Sequence, residues 1–231
     1  MTDRDKKSVF FIVPVYNESP VILSTLGPVI QEGYSVVVVD DGSTDGSWQI
    51  ITKLPVFALR HSINLGQGAA LQTGMTFALS KGARIIVHFD ADGQHRLEDA
   101  KSLMEPVLNG EADIALGSRF KDPLNQKNIP FSKRILLKIA IIVNAALTGL
   151  WLTDAHNGLR VLTREAAEKV FLLENGYAHA TEILNQIRRF KLRYLEKPAS
   201  IYYSEYSRAK GQSMWNAVNI LIDLLLRRIF K

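Results

Sequence analysis

Two acidic residues that could bind a metal ion, Asp90 and Asp92, directly follow a short apolar run of the sequence. In an extended chain alternate side chains share a face, so the two carboxylates are expected to point the same way. Neighbouring carboxylates repel each other unless a cation joins them, and a hard divalent ion shared with substrate phosphates is the natural partner. We therefore predict a Mg²⁺ or Mn²⁺ site at Asp90 and Asp92, with Gln94 as a further oxygen ligand. The alternative is a solvated turn, because Asp and Gly are turn residues.

Two further polar segments also follow apolar runs, and their residue types suit contact with a nucleotide. They are residues 14–18, with the sequence PVYNE, and residues 40–46, with DDGSTDG. Carboxylates such as Asp41 can accept hydrogen bonds from a nucleobase or from ribose hydroxyl groups. The alternative is that Ser43 or Asp45 only caps the following helix, and both roles can coexist.

A glycine-containing turn over residues 61–68 precedes a predicted helix, whose N-terminus could receive a phosphate group. The turn lacks the glycine fingerprint of dinucleotide-binding enzymes and the Lys-bearing loop of P-loop kinases, so neither class is favoured. For His95, a capping or packing role and contact with substrate both remain open.

Short β-branched runs predict the strands that position these residues, at 9–13, 36–39, 85–89 and 114–116. The first three are nearly continuous rather than alternating, as in strands buried on both faces of a parallel sheet. Helical patterns between them complete βαβ units, at 20–31 and 68–79. Because ligands bind at the carboxyl ends of the strands in open parallel sheets, the three polar segments should meet in one cleft.

Two later segments have amphipathic helical patterns, residues 134–151 and 215–231. In each, the polar residues fall within an arc of about 120°. Such a helix either packs on the core or lies in a membrane interface with its basic residues toward the headgroups. We predict a catalytic domain over residues 1–213 and an amphipathic helix over 214–231, with both roles left open for that helix.

Composition restricts the chemistry and the environment of the protein. The 231-residue chain has no cysteine, a formal net charge of +5 and 47% hydrophobic residues, which is typical of a folded protein. Disulfides and thiolate metal sites are therefore excluded. The N-terminus has no signal-peptide core, and no apolar run reaches the roughly 18 residues that span a bilayer. We expect a cytoplasmic protein, peripheral on the inner face of the membrane, because basic residues are concentrated at 119–138 and 188–231.

Ordered motifs make residues 9–213 resemble the family 2 glycosyltransferases, nearest to the dolichyl-phosphate mannosyltransferase-like branch. The motifs are PVYNE, VVVVDDGSTDGS, NLGQGAALQTGM, DADGQH, GSRF, TDAHNGLR and ATEIL. The resemblance implies the GT-A nucleotide-diphospho-sugar transferase fold, an α/β fold with a mostly parallel central sheet flanked by helices. It also implies a hexosyltransferase that depends on Mg²⁺ or Mn²⁺.

The same resemblance assigns residues to the donor. The nucleoside would be held by Pro14, Tyr16, Glu18, Val39 and Asp41. The metal ion would be held against the diphosphate by Asp90, Asp92 and Gln94, with Asp92 also counted as a catalytic residue.

Further residues are assigned to the phosphates and the acceptor. The diphosphate or an acceptor phosphate would be bound by Arg119 and Arg208, and Arg134 could meet an acceptor phosphate. The sugar and acceptor side would be shaped by Asp154, Arg160 and Glu182.

The late basic loop departs from the family's pattern. The mannosyltransferases often place a Lys just after the Gly-x-Ser of this loop, whereas Met214 follows Ser213 in this sequence. Lys210 could substitute by position, and whether the loop serves the donor or the acceptor stays open.

The implied reaction is an inverting transfer of a sugar from a nucleotide-sugar donor to a polyprenyl phosphate, of dolichyl or undecaprenyl type. A phosphate acceptor is already anionic at neutral pH and needs no strong general base. The alternative is transfer to a sugar hydroxyl of a polysaccharide or glycolipid, in which Asp154 or Glu182 would take the proton.

Two other classes of function fit the sequence less well. A nucleotidyltransferase would carry a Gly-rich loop with Arg or Lys after the first strand, and PVYNE has no basic residue. A nucleic-acid-binding protein would interleave aromatic and basic side chains, a pattern confined to residues 202–208. The expected partners are therefore a nucleotide sugar, a lipid phosphate and a membrane surface, and not a nucleic acid.

Overall fold

A computed structural model describes residues 2–121, 138, 141–142, 145–146, 148–154, 157–176, 178–200 and 202. Its strands are β1 (Val9–Val15), β2 (Ser35–Asp40), β3 (Phe57–Arg60), β4 (Ile85–His88), β5 (Ile114–Ser118), β6 (Arg160–Thr163) and β7 (Tyr194–Pro198). Its helices are α1 (Asp3–Lys7), α2 (Ile22–Gln31), α3 (Ser47–Ile51), α4 (Gln67–Ser80), α5 (Leu97–Leu108), α6 (Arg164–Lys169) and α7 (His179–Arg189). The predicted helix over 214–231 and the residues Arg134, Arg208 and Lys210 lie outside this described part of the chain.

The strands form one sheet in the order β3-β2-β1-β4-β6-β5-β7. Strand β6 runs antiparallel to both of its neighbours, β4 and β5, and the other strand pairs are parallel. The prediction of a mostly parallel sheet is therefore confirmed, and each predicted strand corresponds to an observed one. The polar segments follow β1, β2 and β4, which are adjacent in the sheet, so this order brings them to one edge.

Helices cover both faces of the sheet and explain why the central strands are apolar without alternation. One layer packs α2, α3 and α5 against side chains such as Phe11, Val38 and Val87. The other packs α4, α6 and α7 against side chains such as Ile12 and Ile86. In the second layer α4 lies very close to the sheet, because a Cβ atom added at its Gly74 would collide with the Ile12 side chain.

The last three residues of the predicted helix over residues 134–151 are not helical. Thr148 is helical, but Gly149 has φ +70° and leaves the helix. Trp151 lies beyond this point and is 75% exposed, so its apolar ring does not belong to the helix face to which the periodicity assigned it. Among the described residues, none of the helices combines the length and the hydropathy needed to span a bilayer.

Candidate active site

Hydrogen bonds join the loops that follow β1 and β2 into one rigid unit. The backbone N–H groups of Asn17 and Glu18 donate to the hydroxyls of Ser43 and Ser47, each at 2.9 Å. The Ser19 N–H donates to the Asp45 carboxylate at 2.9 Å. A fourth contact is made by the Asn17 side chain, whose oxygen accepts from the Thr44 N–H at 2.8 Å. The motifs PVYNE and DDGSTDG therefore bind each other, which is a structural reason for their short polar side chains.

Asp45 combines hydrogen bonds to the first residue of α3 with this contact between loops. Its carboxylate accepts from the Ser47 N–H at 3.0 Å and from the Ser47 hydroxyl at 2.6 Å, at the start of α3. Burial opposes ionisation of Asp45, but the hydrogen bonds from Ser47 and Ser19 outweigh it and lower its pKa to about 2. Asp45 thus bonds to the first residue of α3, whereas the N-cap position is Gly46 and no side chain caps this helix.

Asp41 organises the loop that follows β3. Its Oδ1 atom is 2.7 Å from His61 Nδ1 and accepts from the Leu65 N–H at 2.9 Å. Its Oδ2 atom accepts from the Gly66 N–H at 2.7 Å, and the residue is only 3% exposed. The described contacts of Asp41 are therefore within the protein, and its contact with a nucleoside stays a prediction.

Asp40 is buried slightly more deeply than Asp41. Its side chain is fully buried, with Oδ1 accepting from the Ser43 N–H at 3.2 Å. Its Oδ2 atom is 3.0 Å from Arg60 Nε, at an angle that does not make a hydrogen bond. Asp40 thus supports the loop from within the protein.

The segment after β4 is a turn rather than the extended chain that we predicted. The strand ends at His88, residues 91–92 turn, and Gly93 has φ +75°. The predicted alternation of Asp90 and Asp92 along an extended chain was therefore wrong, although the two residues still lie close enough for the charge of one to affect the other. The turn, and not the alternation of side chains along a strand, brings the two carboxylates near each other.

Both oxygens of the Asp90 carboxylate have partners. Oδ1 accepts from Gln67 Nε2 at 2.8 Å, and Oδ2 is 3.0 Å from His95 Nε2. Burial opposes ionisation, but the hydrogen bond and charge of His95, together with the charge of Arg160, hold the pKa of Asp90 below its ordinary value. For His95, whose side chain is 1% exposed, packing against Asp90 is the role that the structure supports.

The pKa of Asp92 is shifted in the opposite direction from that of Asp90. Burial raises its pKa to about 6, and the negative charges of Asp90 and Glu18 add to the effect. Its Oδ1 atom accepts from the Gln94 N–H at 3.0 Å. The described contacts of Gln94 are made by its backbone, which also accepts from the Tyr202 N–H, so its side chain as a metal ligand stays a prediction.

These carboxylates fit a divalent ion that is also bound by a substrate. Asp92 lies near two other negative groups, so a cation at this point would relieve their mutual repulsion. Among the described residues, no group of three His, Cys, Asp or Glu side chains is arranged as a complete metal site. One or two carboxylates plus phosphate oxygens is the usual environment of Mg²⁺, and such a site needs no third protein ligand.

Arg160 is a buried cation behind the acidic pair. Its backbone lies opposite that of His88 where β6 pairs with β4, and the residue is 3% exposed. Burial lowers the pKa of Arg160 to about 10, while Asp90 and Asp154 act to raise it, so the guanidinium stays charged at neutral pH. It therefore acts on the site through its charge, and contact with a sugar stays a prediction.

Arg119 and Asp154, which we predicted for separate roles, are bound to each other. The guanidinium donates through Nε and Nη2 to the two carboxylate oxygens, each at 2.6 Å. The Arg119 N–H donates to the same carboxylate at 3.0 Å. Because both side chains are almost fully buried, the pair forms a charged, bidentate contact inside the fold.

Glu182 holds a neighbouring loop. Its carboxylate accepts from the backbone N–H groups of Leu173 and Glu174 at 3.0–3.1 Å. The same loop covers the start of α4, because the Asn175 carbonyl accepts from the Gly68 N–H at 2.8 Å. One N–H group of the helix terminus that we predicted for phosphate is therefore already bonded within the protein.

The remaining predicted nucleoside residues differ in their accessibility. Tyr16 is 45% exposed and Glu18 is 8% exposed, whereas Val39 is completely buried against α4. Pro14 is half-buried. A direct contact with substrate is thus most accessible to Tyr16, and Val39 supports the site from the core.

Comparison with known proteins identifies the family. The model of the glycosyl transferase family 2 matches residues 10–171. The UDP-N-acetylglucosamine–dolichyl-phosphate N-acetylglucosaminyltransferase of Methanococcus voltae is 31% identical over 97% of this chain and 98% of its own length. The polyprenol monophosphomannose synthase of Mycolicibacterium smegmatis is 32% identical over 74% of this chain and 67% of its own length.

A solved structure confirms the fold. The glucosyl-3-phosphoglycerate synthase of Mycobacterium tuberculosis, solved with Mn²⁺, uridine diphosphate and phosphoglyceric acid, has a TM-score of 0.67 and 17% identity. The match covers 98% of this chain and 80% of that one. The predicted GT-A fold is therefore confirmed, and the chain belongs to the family 2 glycosyltransferases, in the dolichyl-phosphate mannosyltransferase-like branch.

Proposed function

We propose that this enzyme transfers a sugar, with inversion, from a nucleotide sugar to a polyprenyl phosphate. The observation that carries the proposal is the meeting of Asp90 and Asp92 with the loops of Glu18 and Asp41 at one edge of the sheet. Glu18 is near enough to raise the pKa of Asp92, and Gln67 connects the loop held by Asp41 to Asp90. One cleft can thus receive both the nucleoside and the diphosphate of a donor.

A divalent ion, Mg²⁺ or Mn²⁺, is part of this proposal. Asp92 would hold it together with the donor's phosphates, with Asp90 beside it and Gln94 as a further ligand. When bound, the ion would offset the negative charge that develops on the departing nucleoside diphosphate. The Mn²⁺ and uridine diphosphate in the mycobacterial structure support this choice.

The state of the candidate bases favours a phosphate acceptor over a hydroxyl. The Asp154 carboxylate binds the Arg119 guanidinium, and the Glu182 carboxylate accepts backbone N–H groups. Neither carboxylate is poised to take a proton, and a phosphate acceptor needs no such step because it is already anionic. The names of the two relatives, which act on dolichyl phosphate or make polyprenol monophosphomannose, support the same class of acceptor.

The relatives differ in the sugar that they are named for, N-acetylglucosamine in one and mannose in the other. We therefore propose the acceptor class and leave the sugar to experiment. A lipid acceptor places the reaction at a membrane surface, and we propose peripheral attachment at the cytoplasmic face through the helix predicted over residues 214–231, which follows the catalytic domain over 1–213.

Transfer assays test the proposal. Purified protein with Mn²⁺ would be given labelled UDP-N-acetylglucosamine, UDP-glucose or GDP-mannose, each with undecaprenyl or dolichyl phosphate in detergent. We expect one donor to yield a labelled lipid phosphate and a nucleoside diphosphate, with no product after chelation of the metal. Transfer to glycolipid or polysaccharide hydroxyls, with none to polyprenyl phosphate, would contradict it and establish the alternative.

A further inference from the structure

We propose that Gln67 is a positioning residue that couples the nucleoside loop to the metal site by fixing the Asp90 carboxylate. The inference rests on the proposed function, since it concerns how the donor's two halves are held. Gln67 is the first residue of α4, and its Nε2 atom donates to Asp90 Oδ1 at 2.8 Å. Its side chain therefore spans the gap between the loop after β3 and the turn after β4.

The backbone before Gln67 is fixed by Asp41. The Asp41 carboxylate binds the N–H groups of Leu65 and Gly66 at 2.9 and 2.7 Å, and Gln67 is the next residue in the chain. Asp41 therefore helps to hold the point from which the Gln67 side chain extends. Two consecutive residues, Gly66 and Gln67, thus contact the nucleoside motif and the metal motif.

The backbone on both sides of Gln67 also packs closely against the loop that Glu182 holds. A Cβ atom at Gly66 would collide with the Asn175 carbonyl, and one at Gly68 would collide with the Glu174 carbonyl. The Gly68 N–H donates to the Asn175 carbonyl at 2.8 Å. Gln67 therefore lies between two glycines that pack directly against this loop, which helps to fix the position from which its side chain extends.

The Asp90 carboxylate depends on Gln67 for its orientation. His95 holds only Oδ2, and Oδ1 has Gln67 as its donor. Without Gln67 the carboxylate would be held from one side and could rotate about its Cβ–Cγ bond. Because Asp90 lies next to Asp92, such a rotation would move the negative charge of Asp90 relative to a metal ion bound at Asp92.

Binding of Mn²⁺ to purified full-length protein tests this inference. The variants are Gln67→Met, which keeps the length of the side chain and removes the donor, and Gln67→Ala, which suits a helix start. Gln31→Met, at the exposed far end of α2, is the matched control. The affinity for Mn²⁺ would be measured by electron paramagnetic resonance, alone and with UDP or GDP, whichever the wild-type protein binds more tightly.

We expect both Gln67 variants to bind Mn²⁺ about ten- to a hundredfold more weakly in the presence of the nucleotide, the effect of losing a hydrogen bond to a charged group. Nucleotide binding without metal and the thermal unfolding midpoint should stay near those of Gln31→Met. A merely structural role would instead lower both of these together with the metal affinity, and that result would overturn the inference.

Two other outcomes separate this inference from the proposed function. Equal Mn²⁺ affinity in wild type and both variants would overturn only the role of Gln67. Absence of Mn²⁺ binding to the wild-type protein would overturn both. Weakened metal binding in the variants, combined with no transfer to polyprenyl phosphate by the wild type, would uphold the role of Gln67 and refute the proposed acceptor.

Discussion

Residues of the same type have different environments at this site, and their contacts decide what each can do. Asp41 and Asp90 have both carboxylate oxygens bonded within the protein, whereas Asp92 has a raised pKa next to other negative charges. The sequence identifies all three as candidates because each follows a strand. It does not reveal their partners, since Asp41 binds a loop 24 and 25 residues away and such long-range contacts leave no local pattern.

The buried pair of Arg119 and Asp154 gives a prediction on stability. Asp154→Asn should lower the free energy of unfolding by roughly 3–5 kcal/mol, because it leaves a buried guanidinium without its counter-charge. Urea-induced unfolding would measure the change.

The double variant Arg119→Met with Asp154→Leu is the matched control for that experiment. It removes both charges and should cost clearly less than the single change. If the double variant were as unstable as the sum of its two single changes, the two charges would not be acting as a pair.

At the scale of the elements, the start of α4 and the loops around it set the geometry of the site. Helix α4 begins between two glycines that touch the loop held by Glu182. The loops after β1 and β2 are joined by short polar side chains. The sequence shows the glycines and serines, but it does not show that a loop some 100 residues later covers the helix start.

Gly68→Ala tests the close approach of that loop. The added methyl group would collide with the Glu174 carbonyl and lie 3.0 Å from the His179 Cβ atom, so we expect a loss of about 1–3 kcal/mol in unfolding free energy. Thermal or urea unfolding would measure it.

Thr76→Ala is a suitable control, because Thr76 lies at an exposed position of the same helix. It should change the free energy of unfolding by less than about 0.5 kcal/mol, as most substitutions at exposed positions do. Similar effects of the two changes would contradict the account of α4.

The contacts of Asp45 predict a pH dependence. Its pKa in the folded protein, about 2, is below the ordinary value of 3.8, so its ionised form stabilises the fold. That contribution is complete above the ordinary pKa and is lost as the pH falls through the folded pKa. The stability difference between wild type and Asp45→Asn should therefore shrink between about pH 4 and about pH 2.

Unfolding curves at a series of pH values would measure this difference. Because only the difference is used, other groups that titrate equally in both proteins cancel. A difference that stays constant down to the lowest pH at which both proteins are folded would show that the charge of Asp45 does not stabilise the contact between the loops after β1 and β2.

At the scale of the whole molecule, the sequence predicts strands β1, β2, β4 and β5 but misses β3, β6 and β7. Strands β1, β2 and β4 are continuous apolar runs because helices cover both faces. Strand β7, with the sequence YLEKP and no buried residue, gives no such signal. Strand β6 has only four residues and pairs antiparallel between β4 and β5, a position that is set by long-range pairing and not by its own composition.

The proposed function requires the fold to gather acidic side chains at a point where a donor's diphosphate and a metal ion can meet. Asp92 is the group with the strongest electrostatic reason to bind that ion. Asp92→Asn keeps its size and removes its charge, and Asp3→Asn, on the exposed first helix, is the matched control.

Mn²⁺-dependent transfer by these two variants tests the central claim most directly, with folding checked by circular dichroism. We predict that Asp92→Asn folds normally and transfers sugar about a thousandfold more slowly or not at all, the equivalent of several kcal/mol of lost electrostatic stabilisation, while Asp3→Asn matches the wild type. Normal turnover by a folded Asp92→Asn variant would contradict the claim.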